Sequence, residues 1–171
     1  MHILLLNRRL RVIVLALFCL FSAGSRGADV KVGEVFPDLA SYQLEGKLPE
    51  NRAGKVILLD FWASWCGPCK LSFPVMEELH KRYAAQGLLV IAVSVDENRA
   101  DMAAFLKKQA PSFTVVRDSK QRLVAKASVD VLPGSFLLDR EGKVRFVHTG
   151  FYGDKTKKEY EKEIETLLRE K

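Results

Sequence analysis

The sequence is poor in cysteine and histidine, with three of each in 171 residues. Cys19 falls in an N-terminal segment that reads as a removable signal, which leaves Cys66 and Cys69. A bridge between these two closes a very short loop, and stabilisation from loop closure grows with loop length. The pair therefore reads as reactive rather than structural. A structural zinc site wants four ligands, and only His80 and His148 accompany the cysteines, without ligand-like spacing. His80 fits an exposed helix position and His148 a strand face. The chain of 171 residues also lacks internal repeats, linkers and low-complexity stretches, so a single domain with its own core is expected.

No apolar run comfortably reaches the roughly 20 residues that a membrane span needs. The longest, Val12 to Phe21, follows Arg8, Arg9 and Arg11 and precedes small residues from Ser22 to Gly27. This is the order of a secretory signal peptide. Residues 1–27 are assigned to that signal, with an uncleaved anchor as the alternative, and residues 28–171 to the domain. Cys19 follows Leu17-Phe18, so no lipobox is formed. Four of the 27 basic residues, Arg8, Arg9, Arg11 and Arg26, precede Ala28, and none of the 21 acidic ones does. The mature chain is thus close to neutral. Lys155, Lys157, Lys158 and Lys162 interleave with Glu159, Glu161 and Glu163 as on a solvated helix face. Nucleic acid is not an expected partner.

Two continuous apolar runs, Lys55 to Trp62 and Leu88 to Val95, read as strands covered on both faces. Between them Leu71 to Ala85 reads as a helix with Leu71, Val75 and Leu79 as one stripe and Met76 and Tyr83 as a second. Pro74 should kink it and Gly87 end it. Ala100 to Gln109 is a second helix, with Met102, Phe105 and Leu106 inward. A short strand, Phe113 to Arg117, and a short helix, Arg122 to Ala127, follow. Phe136 to Asp139 and Val144 to His148 form a hairpin about Arg140-Glu141-Gly142-Lys143. Asp154 is expected to cap a last helix with Tyr160, Ile164, Leu167 and Leu168 inward. Before the first central strand, a short strand at Phe36 to Leu39 and a hairpin turning at Glu45-Gly46 are expected. The order is βαβαβ, hairpin, helix: an α/β fold with a mixed sheet flanked by helices on both faces, plus an N-terminal strand and hairpin extension.

The chemistry concentrates at Trp65-Cys66-Gly67-Pro68-Cys69-Lys70, between strand and helix. Two cysteines two residues apart in a βαβ setting form a redox motif. At the helix N-terminus, free N–H groups and the dipole favour a thiolate, which is the nucleophile. Cys69, one turn on, can close a disulfide with Cys66. Asp60 sits inside an apolar strand, where a carboxylate is costly unless paired or protonated, so a raised pKa is expected.

These residues, with Gly54 to Lys70, Ala92 to Asp96, Leu132-Pro133, Phe136 to Val144 and His148-Thr149-Gly150, resemble the thioredoxin superfamily. More narrowly they resemble its TlpA/ResA-type extracytoplasmic thiol–disulfide oxidoreductases, over nearly all of the mature chain. The resemblance implies a thioredoxin-like fold and a disulfide reductase. Cys66 is implied as the attacking cysteine, Cys69 as the resolving one, and Asp60 as proton shuttle to Cys69. It implies Trp65, Gly67 and Pro68 as flanking substrate contacts and Pro133 as a cis-proline facing the disulfide. The Leu132 backbone would then pair with a bound peptide. No cofactor is implied beyond the redox-active Cys66–Cys69 disulfide. The implied partners are exported thiol or disulfide proteins and a membrane electron donor of DsbD or CcdA type, in the periplasm or an equivalent extracytoplasmic space. The membrane itself would be met only through an uncleaved N-terminal anchor.

Three positions depart from the family. Ser72 stands where many such reductases carry the Glu associated with cytochrome c maturation. Ala92 replaces the lysine near the buried acid of thioredoxin. Gly134 replaces the usual Thr after the cis-proline and is expected to loosen that loop. A peroxiredoxin is disfavoured by Ala63 and Leu59, where that family needs Thr and Pro. A thiol oxidase or isomerase of the same fold and a non-enzymatic redox-sensitive binding module are the alternatives. An oxidase of DsbA type would need an inserted helical domain between Leu88 and Gly150, and a binding module would not need Cys66, Cys69, Asp60 and Pro133 together.

Overall fold

The structure is a computed structural model that describes residues 30–170. The signal segment with Cys19, and the boundary at residue 27, lie outside these residues. Five strands form one mixed sheet: β1 (Val56–Trp62), β2 (Leu88–Ser94), β3 (Thr114–Arg117), β4 (Gly134–Leu138) and β5 (Val144–Thr149). Their order is β3-β2-β1-β4-β5. β1, β2 and β3 are parallel, and β4 and β5 run antiparallel to their neighbours. β1 is central and buried along its whole length, as its unbroken apolar run requires.

The helices are α1 (Gly67–Tyr83), α2 (Arg99–Gln109), α3 (Arg122–Lys126) and α4 (Asp154–Arg169). Successive right-handed crossovers place α1 and α2 on one face of the sheet. There Trp62 of β1 meets Phe73 of α1 at 4.5 Å and Phe105 of α2 at 4.9 Å between ring centres. α4 lies beside α1 on the same face. Tyr83 donates to Glu165 at 2.7 Å, and Lys157 pairs with Glu78 at 2.7 Å. α3 covers the opposite face, where Phe136 stacks edge-on against Phe36 and Phe61. The mixed sheet with helices on both faces is therefore as expected.

Local details differ. Met76, Leu79 and Tyr83 of α1 are buried as expected, but Leu71 is exposed and Phe73 takes the inward place in its turn. The helix starts four residues earlier than the apolar stripe suggested, at Gly67, and its phase follows from that start. Pro74 sits on its exposed side, and the helix runs through it. Asp154 does not cap α4. It is the first helical residue, where its charge complements the dipole, and Gly153 takes the cap position at φ 63. His80 is half-buried, edge-on to Phe113 at 6.3 Å.

The N-terminal extension forms neither the expected strand at Phe36 to Leu39 nor a hairpin about Glu45-Gly46; it pairs with the main sheet through single bridges, Val35 to Lys143 and Glu45 to Arg117. Leu39–Tyr42 is a single 3-10 turn capped by Asp38. Glu45 forms one antiparallel bridge with Arg117 on the free edge of β3, with N–H···O distances of 2.9 and 2.8 Å in the two directions. The Glu45 carboxylate also takes a forked ion pair from the Arg117 guanidinium, at 2.9 and 2.8 Å from Nη2. Gly46, at φ 118, lets the chain approach β3, since a Cβ there would lie 3.1 Å from the Val115 carbonyl oxygen. The Glu45-Gly46 turn is used to cover an edge strand.

Candidate active site

β1 ends at Trp62, and a short loop leads to Cys66 at the cap position of α1. Asp96, just past β2, holds that loop. Its carboxylate accepts the Ser64 N–H at 3.1 and 3.0 Å, the Ser64 hydroxyl at 2.7 Å and the Ser94 hydroxyl at 2.8 Å. The Cys66 N–H donates to the Ala63 carbonyl at 3.1 Å. Cys66 Sγ in turn accepts the Cys69 N–H at 3.2 Å. Pro68 lies in the first turn, and no acidic residue does. The free N–H groups and the dipole therefore face a sulfur with no opposing charge in that turn, which favours its thiolate once the disulfide opens.

Cys66 and Cys69 are joined in this structure. Cys69 is fully buried and Cys66 is 5% exposed, while Trp65, Gly67 and Pro68 are exposed around Cys66. The Leu132–Pro133 bond is cis. The Pro133 carbonyl accepts the Gly150 N–H at 2.7 Å, which ties this loop to the end of β5. Trp65 and Leu132, the neighbours of Cys66 and Pro133 in sequence, border a cavity of about 490 Å³, with Val95, Val129, Asp101 and Asp130 in its wall. Gly134 does not loosen the loop. A Cβ there would come within 2.5 Å of Val129 Cγ1 and 3.2 Å of the Val131 carbonyl oxygen. The residue is glycine because the 129–131 segment packs directly on it.

Asp60 is 1% exposed. It stands opposite Ala92 on β2 and Ser135 on β4. The Ser135 hydroxyl donates to Asp60 Oδ1 at 2.6 Å, and the Tyr160 hydroxyl of α4 lies 2.7 Å from the same serine oxygen. Asp60 Oδ2 has no hydrogen-bond partner. Burial pushes the carboxyl from 3.8 up to about 7, against the opposing pull of the Ser135 hydrogen bond. Burial and the neighbouring Asp60 charge push the Tyr160 hydroxyl well up, so it stays a neutral phenol. Asp60 and Trp62 share a face of β1, and Trp62 packs on Phe73 of α1, so Asp60 faces the helix layer to which Cys69 belongs.

The fold thus brings Cys66, Cys69, Trp65, Gly67, Pro68, Leu132 and Pro133 to one end of the sheet, with Asp60 in the layer below. Ser72 is buried and donates to the Cys69 carbonyl at 3.0 Å. His148 Nε2 lies 2.6 Å from Glu163. Among the described residues no cluster of three or more His, Cys, Asp or Glu is placed to hold a metal ion. Sequence reasoning passed over Asp96, Ser135 and Tyr160. The one available signal was an acid at the end of an apolar strand, Asp96, which repeats the pattern of Asp60.

Residues 25–164 match the family described as Redoxin. The thiol-disulfide oxidoreductase ResA of Bacillus subtilis strain 168 is 34% identical over 145 residues, covering 82% of this chain and 81% of its own. ResA of Geobacillus thermodenitrificans is 34% identical over 141 residues, covering 81% and 79%. A crystal structure of a candidate thiol:disulfide interchange protein DsbE from Chlorobium tepidum superposes with a TM-score of 0.76 at 38% identity. It is matched over 82% of this chain and 99% of that one.

Proposed function

Because the chain belongs to the Redoxin family and is a thioredoxin-like thiol–disulfide oxidoreductase of the TlpA/ResA type, we propose that it works outside the cytoplasm and reduces disulfides of exported proteins. The observation that carries the reading is the pairing of a sulfur at the α1 N-terminus with a buried second sulfur one turn in. In the dithiol form the Cys66 thiolate attacks a substrate disulfide, and the first substrate sulfur leaves as thiolate and takes a proton. Cys69 then gives its proton to Asp60 and attacks Cys66 Sγ. The second substrate sulfur leaves, and two electrons have passed to the substrate. The product is the disulfide seen here. Trp65, Gly67 and Pro68 form the exposed rim against which the substrate docks, with the half-buried Leu132 and the buried Pro133 on the loop opposite.

Two features support reduction over oxidation. The dipeptide Gly67-Pro68 is of thioredoxin type. Between β2 and the end of β5 the chain holds only the short helices α2 and α3, with no inserted helical domain of the DsbA kind. Extracytoplasmic work is supported by the signal-like order of residues 1–27. Among the described residues no helix is long and apolar enough to cross a membrane. A reductase there has to be recharged, which calls for a membrane donor of DsbD or CcdA type. The decisive experiment uses Cys69→Ser in cells. The variant should accumulate mixed disulfides through Cys66 with exported proteins. Recovery of none, or of cytoplasmic proteins alone, overturns the proposal. Equilibration of the pair with glutathione gives the direction, and a potential as oxidising as that of DsbA argues for an oxidase.

A further inference from the structure

Ser135 and Tyr160 are not surface groups that happen to meet. Asp60, Ser135 and His148 occupy one row across β1, β4 and β5, so their side chains share a face. Tyr160 reaches that row from α4, and both hydroxyl-bearing residues are fully buried. We propose that Ser135 and Tyr160 are positioning residues, a two-hydroxyl relay that pins Asp60 Oδ1 as an acceptor and leaves Oδ2 to exchange the proton with Cys69. This rests on the proton-transfer role of Asp60 proposed above.

The direction of the relay follows from counting protons. A hydroxyl carries one, and an ionised carboxylate carries none. Ser135 therefore spends its proton on Oδ1, at 2.6 Å, and Tyr160 spends its own on the serine oxygen, at 2.7 Å. Two hydrogen bonds aligned in series strengthen one another. Oδ2 is buried and without a partner. A proton taken from Cys69 can settle there without turning either hydroxyl. The step is a transfer from sulfur to oxygen, and it reverses when Cys69 is reprotonated.

Few other charges reach this row. β2 offers only Ala92 opposite Asp60. α1 offers Cys69. β5 offers His148, edge-on to Tyr160 at 4.9 Å between ring centres. α4 offers Glu159 and Glu163, both held near the His148 ring, at 3.8 and 2.6 Å. Both glutamates are thus engaged by His148, on the strand beyond Ser135.

The test follows release of thionitrobenzoate from reduced full-length protein mixed with its disulfide dimer. The second phase of release is the attack of Cys69 on the mixed disulfide at Cys66, and its rate is measured against pH. Asp60→Asn should remove the titrating limb. If the limb survives in Asp60→Asn, the proton-transfer role of Asp60 fails, and the relay with it. Given that control, Ser135→Ala should move the midpoint up by about one pH unit, because a hydrogen bond to the charged carboxylate is lost. Tyr160→Phe should move it the same way by a smaller but measurable step, about half a unit, since it acts through the serine. Ser135→Thr, which keeps the hydroxyl, should hold the wild-type midpoint. Variants that lose thermal stability but keep that midpoint make the hydroxyls structural and overturn the relay. Should Ser135→Ala not fold, Tyr160→Phe decides alone.

Discussion

The substitution Asp60→Asn should make the protein more stable, and only in one pH range. Burial lifts the Asp60 carboxyl from 3.8 to about 7 in the folded chain. Between those values the folded protein holds a proton that the unfolded chain has released. Folding then takes up a proton, so stability falls as pH rises through this window and levels off above it. At about 1.4 kcal/mol per unit, the gap opposes the fold by about 4 kcal/mol near pH 8 and by less than about 1 kcal/mol near pH 4. The asparagine side chain would keep an acceptor for Ser135 and has no charge to desolvate. Its amide NH2, placed where Oδ2 has no partner, adds an offset that does not change with pH. All other titrating groups are common to both proteins and cancel in the difference. The assay is urea unfolding of the two oxidised proteins at about pH 4 and about pH 8. The stability difference should move in favour of the variant by about 3 to 4 kcal/mol between the two conditions. A difference that stays the same at both would refute the reading of Asp60 as a buried acid with a raised pKa. A shift in the opposite sense would mean that Asp60 is ionised and well paired in the fold.

Two further substitutions probe the frame around the site. Gly134→Ala places a methyl 2.5 Å from Val129 Cγ1; thermal unfolding should report a loss of about 1–3 kcal/mol, part of which Val129→Ala restores. Asp118 is buried and accepts the N–H groups of Arg122, Leu123 and Val124 at 3.1, 2.8 and 2.9 Å. Asp118→Ala should cost about 1–2 kcal/mol and raise hydrogen exchange in α3, while the rate of attack by Cys66 stays within about twofold.

The readable parts of the chain were those with a local cause. β1 and β2 announce themselves as unbroken apolar runs. Tyr160, Ile164 and Leu167 mark the inner face of α4 by their spacing, and all three are buried. Cys66 and Cys69 stand out because the motif is short and its setting at a helix start is local. Asp60 stands out because one acid interrupts seven strand residues. What escaped depended on distant partners. Glu45-Gly46 has the chemistry of a hairpin turn, but Arg117 lies 72 residues away and takes the glutamate. Ser135 is an ordinary strand serine until the register sets it opposite Asp60, 75 residues earlier. Gly134 suggests a slack loop until Val129 is seen folded back onto it.

Arg117 has a wider reach than its ion pair. Besides Glu45, its Nη1 donates to the carbonyls of Asp96 at 3.2 Å and Glu97 at 2.8 Å. Asp96 in turn grips Ser64, two residues before Cys66. An unbroken chain of hydrogen bonds therefore runs from the segment before β1, through the edge of the sheet, to the loop that leads into Cys66. That segment acts as a splint on the redox centre. A domain trimmed to begin at β1 would keep the sheet and both cysteines but lose the strut behind them, so the catalytic unit of this protein starts well upstream of its first strand.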